Sequence, residues 1–178
     1  MRVITGSARG RRLNEPKNME IRPTTDKVKE SIFNIVQFDI EGRRILDLFA
    51  GTGQLGIEAL SRGAKSASFV DESTEAIKLI KINLEHCGLT GETAREDALS
   101  FLSHCGKYDV IFLDPPYKSG LIDSVLRKII QFDILSEGGI IICETDNETD
   151  IVPMNEPYYA GRVYKYGKVK LTVCGKKA

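Results

Sequence analysis

A chain of 178 residues, 42% hydrophobic and 28% charged, has the length for one domain that buries about 70% of its unfolded surface, and its composition excludes a disordered or membrane-embedded chain. Net charge is zero, yet residues 1–29 carry 8 Lys and Arg against 3 Asp and Glu, residues 162–178 carry 6 against none, and the middle keeps 11 against 22. Basic ends on an acidic body are expected where flanking segments meet a polyanion and the body does something else.

The N-terminus, Met1-Arg2-Val3-Ile4-Thr5-Gly6, lacks the apolar stretch of an export signal, so a cytoplasmic location is expected. Residues Met1 to Leu13 read as two short strands, Arg2–Thr5 and Arg11–Leu13, joined through Gly6, Ser7, Ala8 and Gly10. Arg9, Arg11 and Arg12 on this hairpin suit phosphate contact. Ile21 to Asp26 then leads into a helix over Lys27–Gln37, with Val28, Ile32, Ile35 and Val36 on one face. Its entry, Arg22-Pro23-Thr24-Thr25, is a candidate lid over a ligand crevice.

From Arg44 onward strands and helices alternate. Strands are predicted at Arg44–Phe49, Lys65–Val70, Thr93–Arg95, Tyr108–Leu113 and Gly139–Glu144. Between them lie helices at Leu55–Arg62, Thr74–Cys87, Leu99–Ser103 and Leu121–Phe132, with Gly63 and Gly88 as stop signals. Such βαβα order means a parallel sheet covered on both faces. Tyr158–Lys165 and Lys168–Cys174 around Tyr166-Gly167 read as an antiparallel hairpin at the sheet edge, and Gly175-Lys176-Lys177 reads as a solvated tail. The expectation is one domain over 1–178, a basic hairpin extension (1–24) on a catalytic core (25–178). Its fold is a doubly wound, Rossmann-like α/β sheet of seven mostly parallel strands with an antiparallel C-terminal hairpin. Cys87, Cys105, Cys143 and Cys174 have no ligand spacing, so reduced thiols and no metal are expected.

Two motifs carry the chemistry. Asp114-Pro115-Pro116-Tyr117 follows the apolar strand Tyr108–Leu113, and so sits where open α/β sheets bind ligands. The prolines fix the local backbone, two acceptors can face one flat NH2 group, and Tyr117 offers a stacking face. Accepting both protons of a conjugated amine pulls its lone pair toward an electrophile. Upstream, Gly51, Gly53 and Gly56 satisfy G-x-G-x-x-G after a strand, and Asp71 ends the next strand, where it can accept from ribose hydroxyls. A dinucleotide is the first reading. Three features favour S-adenosylmethionine instead: Asp47 before the glycines would repel a pyrophosphate but suits an ammonium, Asp97 can accept from an adenine amino group, and Asp114-Pro115-Pro116-Tyr117 has no part in hydride transfer.

Asp47-Leu48-Phe49-Ala50-Gly51-Thr52-Gly53 and Asp114-Pro115-Pro116-Tyr117 resemble the cofactor loop and amino-methylation motif of class I S-adenosylmethionine-dependent methyltransferases. Gly10–Leu13, Arg22–Asn34 and Glu58–Ala64 narrow the resemblance to bacterial 16S ribosomal RNA guanine-N2 methyltransferases of the RsmD type. That resemblance implies methyl transfer to a guanine 2-amino group in RNA, in naked form or in an assembling small subunit, by a monomer that needs neither membrane nor metal. It implies Asp114, Pro115, Pro116 and Tyr117 as catalytic and Asp47, Phe49, Gly51, Gly53, Asp71, Glu72, Asp97 and Ala98 as cofactor-binding. Arg9, Arg11, Arg12, Arg22 and Lys27 would hold RNA. Thr52 and Gln54 stand where the family has small residues, and Lys27 and Lys29 where it has arginines, which exchanges planar forks for point charges. The rivals are a DNA adenine or cytosine amino-methyltransferase, a protein glutamine-N methyltransferase, a dinucleotide oxidoreductase and a non-catalytic RNA-binding module.

Overall fold

The computed structural model describes residues 1–16, 25–116 and 120–178. The lid segment up to Thr24, Arg22 within it, and Tyr117 therefore lie outside the described residues. In chain order the elements are α1 (Asp26–Ile35), β1 (Arg44–Leu48), α2 (Gln54–Ser61), β2 (Ser66–Asp71), α3 (Thr74–Cys87) and β3 (Glu92–Arg95). They continue with α4 (Ala98–Leu102), β4 (Tyr108–Leu113), α5 (Leu121–Gln131), β5 (Leu135–Asp146), β6 (Tyr158–Tyr166) and β7 (Val169–Lys176). Sequence signals account for their ends: Ser73 caps α3 by accepting from the Ala76 N–H, and Gly88 closes it at φ 65°.

Seven strands form one sheet in the order β3-β2-β1-β4-β5-β7-β6. β1 to β5 run parallel, and β7 and β6 are antiparallel to their neighbours. The order reverses between β1 and β4, which opens the ligand crevice of a doubly wound sheet at their carboxyl ends. Alternation along the strands sorts the core. Ile45, Phe69, Phe112 and Ile142 face α1, α2, α3 and the N-terminal segment, whereas Leu46, Val70, Ile111 and Leu113 face α4 and α5.

Gly56 is the residue that lets α2 reach the sheet. A Cβ added there would lie 2.3 Å from the Phe69 ring, so the third glycine of the motif serves helix–strand packing.

Three expectations shift. The N-terminal hairpin has one bridged pair, Arg2 with Arg12, rather than two full strands, with Val3 N donating to Arg11 O (2.9 Å) and Gly10 N to Val3 O (2.9 Å). β5 starts earlier, at Leu135, because Gly138 at φ 67° and Gly139 absorb a register shift against β4 instead of ending the strand. The C-terminal tail is tied down rather than free: Lys176 belongs to β7, is buried and donates to Asp133 (2.6 Å), and Lys177, though exposed, donates its N–H to Pro157 O (2.9 Å).

Gly56→Ala should destabilise the fold by about 1–3 kcal/mol through overpacking against Phe69. Thermal melts should show a fall of about 2–4 °C per kcal/mol. Pairing it with Phe69→Leu should recover part of the loss; an unshifted melting temperature for Gly56→Ala would mean that α2 can move away at no cost.

Candidate active site

Leu48 of β1 and Leu113 of β4 are paired in register across the point where strand order reverses. The next residues, Phe49 and Asp114, therefore leave the sheet side by side. The glycine loop and the Asp-Pro-Pro run open into one crevice.

Backbone bonds hold the loop. Phe49 N and Ala50 N both donate to Val70 O (3.0 and 2.9 Å), and Gly53 N donates to Ala50 O (2.7 Å). Gly51 and Gly53 take φ 54° and 77°, which glycine adopts freely, but Phe49 takes 71° with a full side chain. Strain of this kind costs about 1–3 kcal/mol and persists where surrounding structure imposes it. Asp71 supplies part of that imposition: Oδ2 accepts from Gly51 N (2.9 Å) and Oδ1 from Ser73 N (2.9 Å). Each oxygen keeps a second lone pair, so the same carboxylate can brace the loop and accept from ribose hydroxyls. Glu72 beside it is exposed. Asp97 caps α4 through Oδ1 to Ser100 N (2.9 Å), leaving Oδ2 for another donor, and Ala98 behind it is buried.

Asp47 lies deeper than its expected role implies. It falls on the α2 face of β1, is 3% exposed, and accepts from Gly56 N (2.8 Å) in the first turn of α2. Burial pushes its carboxyl up to about 7, the Gly56 bond opposes this, and the Asp71 charge adds to the rise. Its first job is to seat α2.

On the acceptor side Asp114 is half-buried, Pro115 buried and Pro116 exposed. The side-chain oxygens of Gln54, at the start of α2, and Thr145, at the end of β5, are buried with no hydrogen-bond partner among the described residues. Both belong to this edge of the sheet.

The basic residues divide. Arg9, Arg11, Arg12 and Lys27 are all exposed. The hairpin turn, however, packs on the end of α2: Ser7 N donates to Ser61 O (2.8 Å) and Ala8 N to Ser61 Oγ (2.9 Å), and a Cβ on Gly6 would meet Ser61 O at 1.7 Å. Helix α2 ends at the amino edge of the sheet, and Arg11 donates to His86 O (2.7 Å) at the matching end of α3. Arg9 and Arg11 thus stand away from the crevice. Arg12 lines a cleft with Met1, Asn14 and Asp26, and Met1 Sδ lies 3.5 Å from Thr52 Oγ1 in the glycine loop.

Lys29 is not a phosphate contact. It is fully buried 3.9 Å from Glu58, and burial pushes its ammonium down. Sequence reasoning also missed Glu58, Ser61 and Asn83, which bind the N-terminal segment. The available signal was a polar stripe, Glu58, Ser61 and Arg62, at helical spacing in an otherwise apolar α2.

Acids end β2 and follow β3, another lies under the loop, and a buried Gln54 oxygen has no donor among the described residues. Asp47 under the loop suits an amino-acid ammonium and opposes a pyrophosphate, and Asp71 and Asp97 suit ribose and adenine donors. Asp47, Asp71 and Asp97 would hold the group, which supplies an electrophilic methyl. Among the described residues no cluster of three or more His, Cys, Asp or Glu is disposed to hold a metal ion. Fold and site define a class: a Rossmann-like methyltransferase that uses S-adenosylmethionine.

Residues 1–175 match the family described as Conserved hypothetical protein 95. YlbH of Bacillus subtilis (strain 168) is 46% identical over 157 residues, 85% of each chain. Ribosomal RNA small subunit methyltransferase D of Escherichia coli (strain K12) is 34% identical over 159 residues, 87% of this chain and 80% of that one. The solved structure of yhhF from Escherichia coli superposes with a TM-score of 0.90 at 29% identity, covering 100% of this chain and 98% of that one. The chain belongs to this family, the RsmD-type methyltransferases.

The raised carboxyl of Asp47 makes a pH prediction. Its folded-state value exceeds the unfolded one, so the native state holds the extra proton and stability declines as pH rises from about 4 to 7, then levels. A bound cation favours the ionised form, so donor binding should release a proton below pH 7 and tighten as pH rises toward 7.5. Calorimetry in buffers of different ionisation enthalpy should show that release in the wild type and its loss in Asp47→Asn. Equal proton release in both would take Asp47 away from the donor.

Proposed function

We propose that the protein transfers a methyl group from S-adenosylmethionine to the exocyclic 2-amino group of a guanine in 16S ribosomal RNA, as a cytoplasmic monomer. The observation that carries this reading is the register of Leu48 with Leu113, which sets the donor loop beside Asp114-Pro115-Pro116. Support for the RNA comes from the Escherichia coli relative, named for the small-subunit ribosomal RNA.

The bound donor supplies a methyl on positive sulfur, so the protein's work is alignment. Asp114 and the Pro115 carbonyl accept the two N–H bonds of the amine and turn its lone pair into the crevice. Tyr117 stacks on the base. The methylated nitrogen carries positive charge and is acidic enough to give its proton to water, so no strong base is required. A base paired within a helix does not reach the crevice, so the target lies in a loop or is flipped out.

Charge on the far lip fits the same substrate. Leu113, two residues before Pro115, pairs with Cys143, and two residues further along β5 Thr145 pairs with Lys170, which pairs with Lys165. Lys165 is thus three strands away, about 14 Å at ordinary strand spacing. Lys170 and Lys176 are held by Asp150 and Asp133, whereas Arg162, Lys165 and Lys168 have no ion pair among the described residues. Arg12 and Lys27 on one side, and Lys165 and Lys168 on the other, suit an RNA backbone crossing the crevice.

Asp114→Ala should cut the single-turnover rate far more than RNA or donor affinity, because the acceptor matters most as the lone pair turns. Tyr117→Ala should cost about 1–3 kcal/mol of base stacking, and Tyr117→Phe should keep most activity. Normal turnover by Asp114→Ala would end the amine-orienting mechanism.

Replacing Lys165 and Lys168 with Ala should flatten the salt dependence of RNA binding by about 0.7–0.9 log units per lost contact, and more than replacing Arg9 and Arg11. The reverse ranking would move the RNA to the hairpin turn.

A further inference from the structure

The donor loop and the N-terminal segment share one side chain. Asn83 lies on α3, one turn before its end, and is fully buried. A carboxamide has two N–H bonds to give and two lone pairs to fill. Asn83 uses all four. Nδ2 donates to Thr52 O (3.0 Å) in the loop and to Asn14 O (3.2 Å) in the segment. Oδ1 accepts from Asn14 N (2.7 Å) and from Asn14 Nδ2 (3.1 Å).

Thr52 O and Gly53 N belong to one peptide plane, and that plane is pinned at both ends, by Asn83 on the carbonyl and by Ala50 O on the N–H (2.7 Å). Turning it breaks both bonds at once. Thr52 meets the segment a second time, through Oγ1 to Met1 Sδ (3.5 Å). Asn83 is 0% exposed with the segment in place, and three of its four bonds are to Asn14, so a segment that lifts away takes those three bonds with it and leaves the loop carbonyl on a side chain that nothing else holds. Holding the segment down does not by itself require Asn83, because Glu58 already takes the Ile4 and Thr5 N–H groups (2.7 and 3.0 Å) and Ser61 takes that of Ala8 (2.9 Å).

We propose that Asn83 is a positioning residue that couples the Met1–Asn14 segment to the donor loop, so that donor binding tightens the segment and an ordered segment tightens donor binding. The coupling is reciprocal by linkage. It rests on the loop's being the donor site and is independent of what the segment binds.

Hydrogen exchange with S-adenosylhomocysteine as the probe tests it. In the wild type a saturating level should slow exchange of the Val3, Gly10, Leu13 and Asn14 amides about fivefold or more, the low end of common coupling strengths. Asn83→Ala should abolish that ratio. Ser61→Ala, which loosens the segment on α2 without touching Asn83, should raise exchange in both states and leave the ratio as it was. If Asn83→Ala does not fold, Asn14→Ala at an exposed position removes one of the four bonds and should lower the ratio. Failure of the wild type to bind the probe would remove the donor-site reading and this coupling with it. Binding without slowing, or an unchanged ratio in the Asn83 and Asn14 variants, would overturn the coupling alone.

Discussion

A carboxylate without solvent contact joins the N-terminal segment to the catalytic core. Glu58 accepts from Ile4 N (2.7 Å), Thr5 N (3.0 Å) and Arg62 Nε (2.8 Å), with the Lys29 ammonium 3.9 Å away. Lys29 in turn donates to Arg2 O. A buried ion pair of this kind adds little net stability, because desolvation offsets its attraction. What it specifies is arrangement: the segment, α1 and α2 have to meet in one register for every donor to be satisfied. The constraint then passes inward. Arg62 lies 4.6 Å over the Phe33 ring, and Phe33 packs 5.6 Å from Phe112 on β4, the strand that delivers Asp114.

Helix α2 therefore has two duties within eight residues. Its first turn is seated by Asp47 on Gly56 N and shapes the donor loop; its last turn receives the segment through Glu58, Ser61 and Arg62. Both depend on how closely the helix lies on the sheet. Gly56 against Phe69 sets that distance, so one missing Cβ fixes the depth of the donor loop and the seat of the segment together.

Most of the fold was legible because each element carried its own local signal. The span of α3 matches its expectation at both ends, since a hydroxyl precedes it and a glycine follows. Alternation announced a doubly wound sheet, whereas its reversal between β1 and β4 is a pairing that only the structure supplies. What stayed hidden were contacts between residues distant in sequence. Nothing in Lys29 or Glu58 says that they meet, and a lysine among exposed charges on an amphipathic helix looks solvated until a partner appears 29 positions on. Gly138-Gly139 looked like a strand boundary because glycine pairs usually are one, yet the sheet carries them as a bulge. For the site, Asp71 and Asp97 lie where strand-end rules put them. Asp47 does not stay in the open, because strand alternation turns it toward α2.

The segregated charge now has a physical layout. Acids occupy the strand ends that would face a cationic donor, where burial and mutual repulsion raise Asp47 and make its ionisation responsive to what binds. Basic groups that pair internally, such as Lys29 with Glu58 or Lys176 with Asp133, are the ones holding the termini to the body. Lys165 and Lys168, which have no such partner among the described residues, lie at the carboxyl edge of the sheet where β6 turns into β7. Of the acids, Asp47 is buried under the loop, while Asp71 is half-buried and Asp97 exposed at the ends of β2 and β3, on the opposite side of β1 from β6 and its lysines. Zero net charge is thus the sum of two fields of opposite sign. Separating them lets a cationic donor and an anionic acceptor converge on one crevice without either repelling the other's site.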